Sequence, residues 1–301
     1  MRSFRRSALA LVVGCALPLA AHAQSLDSLV MRIGAMSAVT GMEDAMADTL
    51  IALLPGAARD RGGNVVWTRG SGAPVRIAAC GMDEIGYVVG SVNDEGYLTL
   101  RRVGNAAVGP LYDQFLEGQR VTVFGRHGPV PGVVGVRSTH LTRGRGADGD
   151  PAFALDNAYV DVGAANAADI ARLGIEVLAP VTRAKQVQRY GPNRALVAAP
   201  WIAQRAACAA LLSAARRASS ATGTTIVVFG ARTWFTRDGM QLVTGAHPDA
   251  AVMLVGMRPA PNANLRSAEL PVKYQFTPAE TVSLADVHTL EATLQSWLEG
   301  R

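Results

Sequence analysis

The stretch that most constrains this 301-residue chain is an apolar run that ends in glycine and acid. Val75, Ile77, Ala78, Ala79 and Cys80 lead into Gly81-Met82-Asp83-Glu84-Ile85-Gly86 and then Tyr87-Val88-Val89. A short apolar run with β-branched residues, closed by glycine, is the pattern of a buried strand. Side chains just past the C-terminal end of such a strand stand at the rim of an α/β sheet, where ligands bind. Asp83 and Glu84 are therefore the first candidates for chemistry.

The flanking sequence supplies helices and strands for that sheet. Residues 25–38 place Leu26, Leu29, Val30, Ile33 and Met36 at helical spacing, and Thr40-Gly41 ends the pattern. A second helix is expected over 42–54, with Glu43 and Asp44 in its first turn and Pro55 as its stop. Gly62-Gly63-Asn64 turns the chain into the strand Val65-Val66-Trp67. Further on, 203–217 is an Ala/Leu-rich helix, and 225–229 and 251–255 are apolar strands on either side of 241–245. Residues 283–298 close the chain as an amphipathic helix, with Ser283 as its expected N-cap.

Between these parts the texture changes. Tyr97-Leu98-Thr99-Leu100-Arg101, the run 118–124 and the run 130–136 alternate apolar and polar residues, with glycine turns between them. Several short alternating strands at such spacing predict a small β-barrel over 88–194. The expected organisation is an α/β domain built from 24–87 and 195–301, interrupted by that barrel.

Residues 1–23 read as a secretory signal. Arg2, Arg5 and Arg6 form the basic end, Ala8 to Ala20 the apolar run, and Ala21-His22-Ala23 the small-residue cleavage pattern. Val12-Val13-Gly14-Cys15 weakly mimics a lipoprotein acceptor, but the apolar run continues beyond it. The expected location is therefore periplasmic or secreted, with cleavage after Ala23. Without the three signal arginines, 29 Lys+Arg against 24 Asp+Glu becomes 26 against 24. That balance, with no basic cluster, argues against a nucleic-acid partner, and no run is long enough for a membrane span. Hydrophobic residues make up 49% of the chain, ample for one large core or two smaller ones. Once Cys15 is removed, Cys80 and Cys208 remain. A disulfide is permissible after export, but two buried free thiols are the preferred reading.

Ala79-Cys80-Gly81-Met82-Asp83-Glu84-Ile85-Gly86 resembles the strand end Ala-Ala-His-Met-Asp-Glu-Ile-Gly of the glutamyl-aminopeptidase, or tetrahedral (cellulase-M-like) aminopeptidase, family. Other segments extend the resemblance over nearly all of the chain beyond the signal. Leu116-Glu117-Gly118-Gln119-Arg120-Val121 and Ser138-Thr139-His140-Leu141 resemble the family's inserted PDZ-like domain. The resemblance implies a zinc-aminopeptidase-like α/β sandwich interrupted by a PDZ-like barrel, and shortened near 257–270. It also implies two zinc ions, five side chains to hold them and a carboxylate base.

Each implied position is replaced. The first His falls on Gly81, the bridging Asp on Ala203 and the base on Thr233. The remaining ligands fall on Trp234, Val255 and Phe276. Asp83, which orients the first His in the family, is retained with nothing evident to orient. Clustered carboxylates without metal repel one another and are costly to bury, so apolar replacement makes the former pit an ordinary interior or a binding cleft. No catalytic residue, metal or cofactor is therefore expected, and Trp234, Phe276 and Arg205 are the candidate binding residues.

No other chemistry is spelled out. His127, His140, His247 and His288 have no paired spacing, and Asp148, Asp150 and Asp156 do not follow a calcium-loop pattern. There is no Gly-x-Ser-x-Gly elbow. Three readings remain open. The first is an exported pseudoenzyme that binds a peptide or protein. The second is an active metal-dependent aminopeptidase with non-standard ligands, such as Asp83, Glu84 and a histidine. The third is a structural subunit of a homo-oligomer, after the family's cages.

Overall fold

A computed structural model of the chain describes residues 24–104, 112–135, 153, 155–219, 222–235, 238–257 and 265–301. The expected signal at 1–23, His140, Asp148 and Asp150 lie outside the described residues.

Helices α1 (Leu26–Gly34) and α2 (Asp44–Leu53) come first, followed by strands β1 (Ala58–Arg59), β2 (Val65–Gly70) and β3 (Val75–Gly81). Six short strands follow: β4 (Gly86–Val92), β5 (Leu98–Val103), β6 (Arg120–Gly125), β7 (Gly128–Val134), β8 (Tyr159–Asp161) and, after helix α3 (Ala167–Arg172), β9 (Pro180–Arg183). Next are β10 (Gln188–Tyr190), β11 (Leu196–Ala198), helix α4 (Ile202–Arg217), β12 (Thr224–Gly230) and helix α5 (Asp238–Ala246). Strands β13 (Ala251–Val255), β14 (Arg266–Ala268) and β15 (Thr281–Ser283) lead into the last helix, α6 (Leu284–Leu298).

The main sheet has the order β1-β2-β12-β3-β13-β14. Strand β3 lies at its centre, parallel to both β12 and β13, so Cys80 stands between Phe229 and Val255. Because side chains alternate along a strand, Ala78, Cys80, Val227, Phe229 and Val255 face one layer formed by α1, α2, α4 and α6. Ile77, Ala79, Ile226, Val228 and Leu254 face the other side, where Met240 of α5 covers them. Helix α4 is buried on nearly every side, and its alanines at 206, 207, 209, 210, 214 and 215 let neighbours approach closely. Each fully buried leucine in these layers, such as Leu29 and Leu50, contributes about 1.5–3 kcal/mol over an exposed one.

Strands β4-β5-β8-β7-β6-β9 close into a barrel in which every pair is antiparallel. Its interior holds Val89, Leu98, Leu100, Val121, Val123, Val134, Val160 and Val181. The chain enters the barrel three residues after Asp83, and a small antiparallel sheet, β10-β11-β15, follows its exit.

Two local expectations change. Cys80 and Cys208 are joined as a disulfide rather than left as two free thiols, with their Cα atoms 5.7 Å apart. Packing of α4 on the end of β3 brings the two sulfurs together, a proximity that 128 residues of separation conceal in the sequence. Ser283 does stand at the N-cap of α6, but its hydroxyl makes no capping bond.

Candidate functional site

The rim of the sheet is built where β3 and β12 end and α4 begins. Gly81 is held so tightly that a Cβ there would lie 2.6 Å from both Gln204 Nε2 and Thr233 Oγ1. Gln204 donates to the Gly81 carbonyl at 2.7 Å and to the Asp83 carbonyl at 2.9 Å. Arg205 donates to the Met82 carbonyl between them. One turn of α4 thus satisfies three consecutive backbone acceptors that would otherwise be buried unpaired.

Asp83 has a task after all. Its carboxylate accepts from Thr233 Oγ1 at 2.5 Å and from the Trp234 amide at 3.2 Å, tying the loop after β12 to the loop after β3. Burial pushes its carboxyl above the usual range.

Beside it, Glu84 is 1% exposed and pairs with Arg205 Nη2 at 3.0 Å and with Lys185 Nζ. Lys185 also donates to the Pro200 carbonyl at 3.1 Å, and desolvation lowers its ammonium to about 8 despite the opposing pull of Glu84. Glu280 completes the network by accepting from the Ala203 amide at 2.9 Å and the Phe276 amide at 2.8 Å. It caps α4 from a distant loop, because Trp201 at the N-cap offers no oxygen. Burial raises the Glu280 carboxyl as well.

Over this floor lies a cavity of about 500 Å³, with Ala203, Gln204, Thr233, Trp234, Leu270 and Phe276 among its walls. Trp201 also lines it and packs edge-on to Trp234 at 5.1 Å and against Phe276 at 5.3 Å. Trp201, Arg232, Tyr274 and Phe276 all have left-handed backbone (φ of 63°, 54°, 54° and 64°). Such non-glycine conformations cost about 1–3 kcal/mol each and persist where packing over-determines them.

Of the residues expected here, Ala203, Thr233, Trp234 and Phe276 meet at this cavity. Gly81 lies behind Gln204 and Thr233, and Val255 is fully buried in the helix-covered core. Arg205 does not serve as an open binding residue. It is 1% exposed, absent from the cavity wall and committed to Glu84 and Met82. Sequence reasoning missed Lys185, Gln204 and Glu280, whose roles come from partners about a hundred residues away or on another element, with no local signal. His288 pairs with Asp27 at 3.0 Å, far from the rim in role.

The donors among the described residues do not fit a zinc pair. Among the described residues no group of three or more His, Cys, Asp or Glu side chains could hold a metal ion. The space a side chain at Gly81 would need is already filled by an amide and a hydroxyl.

The M42 glutamyl aminopeptidase family matches residues 62–254, well over half of the chain. The chain belongs to that family. Putative aminopeptidase SgcX of Escherichia coli K12 is 33% identical over 186 residues, which is 60% of this chain and 48% of the relative. Lysyl aminopeptidase of Pyrococcus furiosus is 28% identical over 177 residues, 59% of this chain and 49% of the relative. The chain thus spans about half the length of the curated relatives it matches. Among solved structures, aminopeptidase APDkam598 of Desulfurococcus kamchatkensis superposes with a TM-score of 0.78 at 17% identity, covering 92% of this chain and 95% of that one. The Pyrococcus horikoshii TET1 peptidase, which can assemble into a tetrahedron or a large octahedral shell, also gives 0.78 at 17% identity, covering 91% and 99%. At such identity these two establish the α/β fold. The family match includes the rim residues from Gly81 to Trp234 but stops before Phe276 and Glu280.

Proposed function

We propose that this M42 member is an exported, non-catalytic homologue that acts by binding a peptide or protein segment in the cleft above Thr233. One observation carries the reading: Gln204 and Thr233 occupy the space beyond Gly81, where the family resemblance places the first metal ligand. The Ala, Thr, Trp and Phe at four further implied positions line the same cleft or its floor, without a nitrogen or carboxylate to offer a metal. What remains is a cleft in which Trp201, Trp234 and Phe276 stand beside the polar side chains of Gln204, Thr233, Glu269, Gln275 and Glu280, apolar surface with convergent polar groups of the kind a binding site uses.

In this reading 24–87 and 195–301 form the α/β unit and 88–194 an inserted PDZ-like barrel. The first 23 residues direct export to the periplasm or beyond. No helix among the described residues is long and apolar enough to cross a membrane.

Zinc per chain, measured by plasma mass spectrometry, together with aminoacyl-anilide hydrolysis, tests the proposal. Sub-stoichiometric zinc and no chelator-sensitive turnover are expected. Two zinc ions per chain with chelator-sensitive hydrolysis would instead establish the active-aminopeptidase reading. A homo-oligomer is a further proposal, favoured by the shells that the TET1 relative forms. Light scattering that finds only monomer at working concentration removes it.

A further inference from the structure

The charge on the wall of the aromatic cleft has one sign. Among the described residues that line it, the ionisable side chains are Glu269 and Glu280, with no lysine, arginine or histidine beside them. Glu280 is 2% exposed, and its two carboxylate oxygens accept from the amides of Ala203 and Phe276, two residues of the same wall. Lys185 stands outside that wall and is committed to Glu84 and to the Pro200 carbonyl.

Three rings share the wall with that carboxylate. The centroids of Trp201 and Trp234 are 5.1 Å apart, those of Trp201 and Phe276 5.3 Å, and those of Trp234 and Phe276 6.3 Å. Their interplanar angles are 64°, 57° and 81°. Rings set so steeply to one another form the sides of a corner rather than a flat stack. Trp201 closes the back of the corner at 5% exposure, while Trp234 and Phe276 are half-buried and border the cavity. A cation within about 6 Å of a ring centroid is attracted to the ring face. Centroids this close let one small group satisfy that condition for more than one ring.

Hydrogen-bonding capacity selects among cations. A primary ammonium has three N–H donors to satisfy, whereas each Glu280 oxygen already accepts an amide. An alkylated ammonium spreads its charge over methyl groups, needs no acceptor and buries apolar surface against the rings. We propose that the cleft binds the alkylated ammonium group of its ligand, with Trp234 and Phe276 against the methyls and Glu280 as the counter-charge. The group belongs either to a small quaternary amine or to a methylated lysine of a peptide. This inference rests on the reading of the cleft as a binding site and is independent of whether the protein is catalytic.

Titration calorimetry on the full chain at low salt tests it with two pairs of probes. One is choline and the uncharged alcohol in which carbon replaces its nitrogen. The other is N-acetyl-trimethyl-lysine amide and its unmethylated form. None offers an aminopeptidase a free α-amino group, so the test holds even if the protein proves active. Saturable binding of a methylated cation is expected, at least tenfold tighter than its partner in the pair. Binding of choline alone assigns a small amine, and binding of the trimethyl-lysine probe assigns a peptide. Trp234→Leu keeps the wall apolar and should cut the preference for the cation at least tenfold. Glu280→Gln should weaken the cation at least tenfold and leave the alcohol unchanged. Glu280 also caps α4, so Trp234→Leu reads the corner even if Glu280→Gln fails to fold. Equal binding within both pairs, no saturable heat with either methylated cation, or indifference to Trp234→Leu overturns the proposal. Zinc with chelator-sensitive hydrolysis would instead remove the non-catalytic reading and leave this one standing.

Discussion

The barrel and the rim of the main sheet adjoin one another but bury opposite kinds of atoms. Inside the barrel, Leu98, Leu100, Val121, Val123 and Val181 pack with no charged partner among them. At the rim, Asp83, Glu84, Lys185, Arg205 and Glu280 are all taken from water within a few residues of the strand ends. An apolar interior tolerates small errors by repacking, whereas a buried ionic network fails when one member is removed. The rim is therefore expected to be brittle where the barrel is forgiving.

The largest effect should come from the disulfide beneath the rim. Replacing Cys80 and Cys208 together by alanine releases a loop of 128 residues and should lower stability by about 4–5 kcal/mol in urea unfolding. Next is Glu84→Gln, which leaves Arg205 and Lys185 facing a neutral amide and should cost about 3–5 kcal/mol. Finding a loss under 1 kcal/mol by calorimetric unfolding would mean that the network is wet rather than buried. In the barrel, Leu100→Ala should cost about 3 kcal/mol, through a cavity rather than an unpaired charge.

Gly81→His, which places there the side chain that the family resemblance implies, should destabilise by about 1–3 kcal/mol, since Gln204 and Thr233 must both move. Equilibrium dialysis against zinc should show no gain in tight binding, and a gain would break the contrast between a filled rim and an open metal site. The smallest effect separates the regions by pH. Burial raises the carboxyls of Asp83, Glu280 and Glu43, so the native state holds more protons than the unfolded chain from about pH 4 up to their raised values. Stability from these groups therefore falls as pH rises through that window. Asp83→Asn should flatten the difference between unfolding at pH 5 and at pH 8, while Leu100→Ala shifts both by the same amount.

Much of the scaffold was legible from period alone. A helix expected over 203–217 is found as Ile202–Arg217, and the strand read at 225–229 spans Thr224–Gly230. The barrel strand expected over 118–124 begins at Arg120, because Gly118 and Gln119 belong to the turn before it. The first helix stops at Gly34 rather than running to 38, where Gly34 packs against Ile202 too closely for a side chain. The candidate site was half legible. Ala203, Thr233, Trp234 and Phe276 do gather at one cavity, but Arg205 turned out to be buried structure. Lys185 and Glu280 carried no local mark, since a lone lysine and a lone glutamate look alike in a loop and in a core.

The order of residues settled, by itself, which segments are helix or strand and which faces must be hidden, because hydrophobic period is a local property. It also set the expectation, through the family resemblance, that Gly81, Ala203, Thr233, Trp234, Val255 and Phe276 stand where zinc ligands and a base are implied. Folding alone decided that Gln204 and Thr233 fill the space at Gly81, that Cys80 meets Cys208, and that Lys185 and Arg205 both reach Glu84. Those outcomes depend on distances between segments far apart in the chain, and only packing in three dimensions sets such distances.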